Sequence, residues 1–366
     1  MLKTVEFLQQ GGTPEKLTEK YAIAVKAHPR WQNLLLFKYD QLDSPMGEEL
    51  VQECRGLILD STDNWKVISY PYDKFFSYGE GHAKPIDWTN CWCLEKLDGS
   101  LMVMYFYKGA WNVSSSGTPA ADGEVNGFGM TLADLFWKTY RDSSYFLPMD
   151  TNLCYMFELV SPYNRIVVRH AESRLVLHGA RNVNTYIEKL PFDIADRNGW
   201  ECVKHFPFRS IEEVLKSCND INPMDMEGYV VCDHRFNRIK VKSPQYVALH
   251  HMVESSSPKS IIKIIQTNEH AEFLSYFPEY KEMYDGLKVE YDSLVASAQE
   301  AYDKIEHIVL QKEFALEAVK HRLNGLMFQL RKGMVKSISE GLSKMPAEKV
   351  LDIIRGLRES KLKTVS

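Results

Sequence analysis

No apolar stretch in this 366-residue chain is long enough to cross a bilayer. The opening residues, Met1-Leu2-Lys3-Thr4-Val5-Glu6, contain no run of the kind a signal peptide needs, so neither membrane insertion nor secretion is expected. Cysteine is sparse. The seven residues are odd in number and scattered, without a Cys-x-x-Cys, which argues for reduced thiols and against a zinc centre. Cys91 and Cys93 read as packed strand residues. A basic excess is missing too. The formal net charge of −5 does not suggest a general nucleic-acid coat and is compatible with a local basic groove. No internal repeat or long low-complexity segment is present.

What remains is an ordinary globular composition, 45% hydrophobic and 25% charged. The length predicts two domains, because single cores rarely grow past about 250–300 residues. Short apolar runs predict strands over 56–60, 66–69, 92–97, 101–106, 153–160, 165–168, 174–180, 228–232 and 238–241, with helices over 131–140 and 211–218. Beyond about Pro244 the texture changes. Leu287, Tyr291, Leu294, Ala298, Ala301, Ile305 and Ile308 recur at helical spacing, and Pro258, Pro278 and Pro346 stand at helix starts. The expected fold is α+β: residues 1–245 on antiparallel sheets with flanking helices, then an all-α domain over 246–366. The helical stripes read as packing faces. The basic tail after His321 fits RNA phosphates and a solvated face equally well.

Chemistry concentrates in a few segments. Lys96-Leu97-Asp98-Gly99 lies between two strand-like runs, where a lysine can present its amine to a phosphate and accept an adenylyl group as a phosphoramide. Alone the tetrapeptide is weak. Glu53-Cys54-Arg55-Gly56 and Lys74-Phe75-Phe76 each add a cation beside a small or aromatic residue, although each alone also fits an ordinary surface cation. Glu158 interrupts an apolar strand, where a charge must be exposed or paired; it suits a ribose hydroxyl, a metal or a structural ion pair. Glu227-Gly228 places a carboxylate at the mouth of a β-branched strand. In 238–243, alternation puts Lys240 and Lys242 on one face and Ile239 and Val241 on the other. An anion between the two lysines would offset their repulsion.

In combination these strings resemble the covalent nucleotidyltransferase superfamily of ATP-dependent ligases and RNA-capping enzymes, and within it the bacteriophage-type RNA ligase 1 family. The resemblance rests on the segments above, together with Phe157-Glu158-Leu159-Val160, Pro162, Asn164-Arg165-Ile166-Val167 and Ile239-Lys240-Val241-Lys242-Ser243, in family order across about residues 50–250. It implies a nucleotidyltransferase domain whose nucleophile is Lys96. Lys240 and Lys242 are then expected on the α-phosphate, Glu158 near ribose or metal, and Glu227 organising a metal through water. Arg55 and Lys74 are expected on phosphates of ATP or RNA, and Phe76 falls at a family aromatic position that core packing explains equally well. ATP and Mg²⁺ or Mn²⁺ are the implied cofactors, with the metal held largely by water and phosphate oxygens. RNA with 5′-phosphate and 3′-hydroxyl ends, cleaved tRNA included, is the implied partner. A monomer is expected, in the cytoplasm or, for a viral source, the host's cytoplasm. The attacking amine must be neutral, which nearby Lys240 and Lys242 and burial would favour.

One departure stands out. Where the family often has a basic residue before a glycine, this chain has Ser116-Gly117. Ser100 and Leu101 follow the lysine motif where many DNA ligases place a basic residue. That, with a helical rather than β-barrel C-terminal region, favours RNA ends over DNA nicks or caps.

Overall fold

The computed structural model describes residues 1–125, 128–250 and 257–365. The chain divides into two compact units, Met1–His250 and His251–Ser366. The first unit is mixed α/β. Its opening strands, β1 (Ile23–Ala27), β2 (Leu34–Tyr39), β3 (Arg55–Asp60) and β4 (Lys66–Ser69), form a sheet in that order. The chain then supplies β5 (Phe76–Ser77), β6 (Cys91–Lys96), β7 (Ser100–Tyr107), β8 (Ala110–Ser115), β9 (Leu153–Val160), β10 (Arg174–Asn182), β11 (Glu188–Lys189), β12 (His205–Phe206), β13 (Gly228–Asp233) and β14 (Arg238–Lys242). A middle sheet runs β11-β10-β9-β7-β8 and a third runs β12-β6-β13-β14-β5. Pairing is antiparallel within both except where β14 meets β5.

Period-two alternation stacks these layers. On β3, Leu57 and Leu59 pack with Leu8 and Leu17 of the helices Lys3–Gln9 and Pro14–Tyr21, while Ile58 turns toward Val103, Tyr105 and Met156 of the middle sheet. The middle sheet's other face, with Met102, Phe157 and Leu177, covers Phe136 of helix Leu132–Asp142. The Thr131/Asp134 capping box explains why that helix starts where it does. On the third sheet, Cys91, Cys93, Val231, Ile239 and Val241 pack against Val214 and Cys218 of helix Ile211–Asp220. Leu94, on the opposite face, meets Val176 of the middle sheet. Each such side chain contributes about 1.5–3 kcal/mol by burial. All seven cysteines are free.

One reading from the sequence changes. The strand expected over 165–168 is a loop: the backbone N–H groups of Val167 and Val168 donate to the Asp98 carboxylate, at 2.8 and 2.7 Å, and not to a neighbouring strand. The acid of the Glu53-Cys54-Arg55-Gly56 segment is structural. Glu53 accepts the N–H groups of Lys3 and Thr4 and the Thr4 hydroxyl, each at 2.8 Å, and so satisfies open donors at the first helix start. Burial pushes its carboxyl above the ordinary glutamate value despite those hydrogen bonds.

In the second unit the described elements are helical. The helices Pro258–Thr267, Lys281–Asp303, Ile338–Ser343 and Ala347–Val365 contribute buried Ile261, Ile264, Leu287, Tyr291, Leu294, Ala298, Leu342 and Val350. The stripe from Leu287 to Ala298 is thus a packing face; Ile305 and Ile308 lie beyond the end of its helix. The Gln266 side chain donates to the carbonyls of Leu342 and Met345, each at 2.8 Å, tying the first of these helices to the end of the third. Among the described residues no helix is long and apolar enough to cross a membrane.

Candidate active site

Lys96 ends β6 and Ser100 begins β7, so Leu97-Asp98-Gly99 carries the chain from the third sheet into the middle one. The passage is tight. A Cβ on Gly99 would lie 2.5 Å from the Leu159 carbonyl oxygen, which only glycine avoids. Asp98 is 3% exposed and points inward. Besides the two backbone donors already named, it accepts the Tyr246 hydroxyl at 2.9 Å. Asn164 ties the same loop down by donating to the Ser100 hydroxyl at 2.9 Å and to the Leu159 carbonyl at 2.7 Å. Asp98 is therefore the anchor of the turn that presents Lys96. Replacing it by alanine strands two N–H groups and a phenol, so Asp98→Ala is expected to destabilise the protein by about 2–4 kcal/mol in urea unfolding, with Asp98→Asn in between.

β13 lies between β6 and β14, and Gly228 is opposite both Lys96 and Lys242. Its φ of +153° and a Cβ position 2.2 Å from the Val241 carbonyl oxygen again demand glycine. Glu227, one residue earlier, arrives between two ammonium groups. Lys96 Nζ donates to its Oε2 at 2.6 Å, and Lys242 Nζ stands 3.3 Å from its Oε1. The Glu227 side chain is 5% exposed and that of Lys96 22%, so the amine keeps an approach from solvent. A carboxylate, and not the expected pair of lysines alone, therefore meets the amine in this structure. Lys240 and Lys242 do share a face, and Arg238 shares it with them; Ile239 and Val241 are turned into the core.

Glu158 lies opposite Leu101 on β7 and Val176 on β10. Because Val176 packs against Leu94, this is the face of the middle sheet that looks toward β6. Glu158 Oε2 is 3.5 Å from His178 Nε2. Tyr72 orients that imidazole: its hydroxyl donates to the His178 carbonyl at 2.9 Å and lies 3.0 Å from Nδ1. Burial pushes the Tyr72 phenol above its ordinary value.

Tyr72 also leads to a buried ionic chain that the sequence reading missed. Arg238 stacks over its ring, 4.2 Å from the centroid, and its Nη2 is 2.6 Å from Glu188 Oε2. Glu188 also pairs with Arg181, which reaches Asp73 at 3.4 Å. Burial alone would raise the Glu188 carboxyl, but Arg238 and Arg181 hold it below its ordinary range. The one sequence signal for this chain was Arg238, two residues before Lys240 and hence on the same strand face.

The remaining expected residues are Lys74 and Arg55. Lys74 has its ammonium over Tyr39 and Phe76, 5.2 and 5.4 Å from the ring centroids. It lines a cleft with Gln52, Asp73, Glu188 and Arg238 whose walls do not include Lys96. Phe76 itself is buried. Arg55 stacks over Phe75 at 5.3 Å, and its Nη1 is buried with no hydrogen-bond partner among the described residues. An orphaned guanidinium donor fits an absent anion. No group of three or more His, Cys, Asp or Glu that could hold a metal occurs among the described residues. A metal ion here would therefore draw its other ligands from water and substrate.

A family model described as RNA ligase matches residues 53–246. The RNA ligase of Rhodothermus phage RM378 is 26% identical over 396 residues, covering 85% of this chain and 90% of that protein. A protein of Autographa californica nuclear polyhedrosis virus, provisionally named a bifunctional polynucleotide kinase/RNA ligase, is 28% identical over 311 residues; the match covers 77% of this chain and 42% of that protein. Among solved structures, an archaeal ATP-dependent RNA ligase matches with a TM-score of 0.46 and 15% identity, covering 80% of this chain and 82% of that one.

Proposed function

The chain belongs to the bacteriophage-type RNA ligase 1 family of enzymes, and from that premise we propose that it joins RNA 5′-phosphate and 3′-hydroxyl ends through a lysyl-AMP on Lys96. The observation that carries this reading is Glu227 between Lys96 and Lys242, at 2.6 and 3.3 Å. It fixes the amine at the mouth of the sheet and gives its proton an acceptor.

Three displacements follow. Lys96 Nζ bonds to the α-phosphorus of ATP as the bond to pyrophosphate breaks, and the ammonium proton leaves through Glu227. A 5′-phosphate oxygen of RNA then attacks the same phosphorus; the N–P bond breaks, and AMP is joined to the RNA end. Finally the 3′-hydroxyl of another end attacks the activated 5′-phosphate and AMP departs. Lys240 and Lys242 neutralise the α-phosphate through these steps, Glu158 holds the ribose, and Arg55 and Lys74 take up phosphates. Positioning and charge neutralisation supply the acceleration. A divalent ion, Mg²⁺ or Mn²⁺, reached by Glu227 and Glu158 through water, would neutralise phosphate charge. The helical region over 246–366 is the proposed specificity element, and cleaved tRNA the proposed natural substrate.

The test is labelling followed by ligation. Protein incubated with α-labelled ATP is expected to take up label, and with α-labelled GTP not. It is then expected to seal linear single-stranded RNA and a tRNA broken in its anticodon loop, but not a nicked duplex. Failure to label with ATP rejects the covalent mechanism; sealing of nicks alone rejects the substrate class.

A further inference from the structure

Lys38 is a half-buried lysine on β2 that makes no ion pair or side-chain hydrogen bond among the described residues. It lies across from Arg55 on β3, so two cations face each other on adjacent strands, an arrangement that costs stability unless something negative sits with them. The Lys38 ammonium and the backbone beside Arg55 both border one turn. A Cβ built on Gly117 would stand 3.5 Å from Lys38 Nζ, and one built on Gly56, next to Arg55, would stand 3.6 Å from Ser116 Cα. The Ser116-Gly117 turn is held by Ser115, whose hydroxyl accepts the N–H groups of Gly117 and Thr118 at 3.3 and 3.1 Å. Ser115 pairs with Met102, two residues into the strand that begins at Ser100, so the turn lies at the Lys96 end of β7. The Lys38 ammonium thus sits against this turn, beside the strand end that carries Lys96, and its cross-strand neighbour Arg55 has a buried Nη1 with no hydrogen-bond partner among the described residues.

We propose that Lys38 and Arg55 form a phosphate-binding pair, with Lys38 supplying from the neighbouring strand the positive charge that Ser116 does not. The ligand is a phosphate group of ATP or of the RNA end. The proposal rests on the adenylyl-transfer reading above.

Lys38→Met keeps the stem and removes the charge. If the phosphate is that of ATP, the KM for ATP in label transfer rises about tenfold, the scale of one lost charge-assisted hydrogen bond. If it belongs to RNA, label transfer is unchanged and sealing of pre-adenylylated RNA falls by a similar factor. In either case Lys38→Met combined with Ser116→Lys recovers most of the loss, because the charge returns to the same spot from the other side. A purely structural Lys38 would not be rescued in this way. Full activity of Lys38→Met in both assays, or a defect that Ser116→Lys leaves in place, overturns the proposal. Absence of label in the parent protein itself would instead reject the underlying mechanism.

Discussion

Lys96→Ala is expected to take no detectable label from α-labelled ATP, and Lys96→Arg to be as inactive. The pair of variants separates two roles of the side chain. Arginine preserves the positive charge beside Glu227, but it stays protonated at any working pH and cannot act as a nucleophile. If charge at this position were the requirement, the arginine variant would take up label; if a neutral amine is required, it will not. Neither change should unfold the protein. Lys242 remains 3.3 Å from Glu227 when Lys96 is lost, so the buried carboxylate keeps a partner. The checks are autoradiography of the labelled band and a melting curve for each variant. Label retained by Lys96→Ala would remove the nucleophile from the mechanism altogether.

The second large effect is on stability. Glu188→Gln leaves Arg181 and Arg238 side by side with no carboxylate between them, both side chains buried. Removing one partner from a buried ionic group costs about 3–5 kcal/mol, since the remaining charges stay desolvated. For a unit of this size that lowers Tm by roughly 10 °C. The effect has a pH signature. The folded carboxyl is held below its ordinary value of 4.5, so its contribution is complete above that pH. It is lost as pH falls through the lower folded value, where protonation undoes the pairing. The stability difference between parent and Glu188→Gln should therefore be largest near neutrality and shrink on acidification, as read by urea unfolding at several pH values. A constant difference would mean that packing, and not charge, accounts for the loss.

The family and the strands that carry its motifs were easier to read from the sequence than the scaffold around them. Strands β9, β13 and β14 are legible because each is a run of apolar and β-branched residues bounded by turns, and the residues they carry, Glu158 and Lys240 with Lys242, fall where alternation puts them. The strand ends could be read to within a residue or two. The first sheet was read only in part: β3 and β4 were expected, whereas β1 and β2 were not, although β2, Leu34–Tyr39, is an apolar run like those that were read. The loop over 165–168 misled because Ile166, Val167 and Val168 have strand propensity, whereas their backbone is claimed by a carboxylate far back in the chain. Arg181, Glu188 and Tyr72 could not be assembled at all. Their partners are brought together by sheet order, β11 beside β10 and β14 in another sheet, which no local spacing encodes. For the same reason the contact between Glu227 and Lys96 was not anticipated, although both residues were singled out.

The three residues between Lys96 and Ser100 have one more consequence. A link that short can bridge no more than about 14 Å even when fully stretched, and here it joins two sheets that are each fixed by their own cores. The chain has no slack at this point. An inserted or deleted residue could not be absorbed as in a surface loop; it would have to be taken up by slipping a strand's register, turning Lys96 or Leu101 onto the wrong face. The latitude of this enzyme to change over generations is therefore smallest in length, before any question of residue identity arises, along the few ångströms of backbone that carry Lys96.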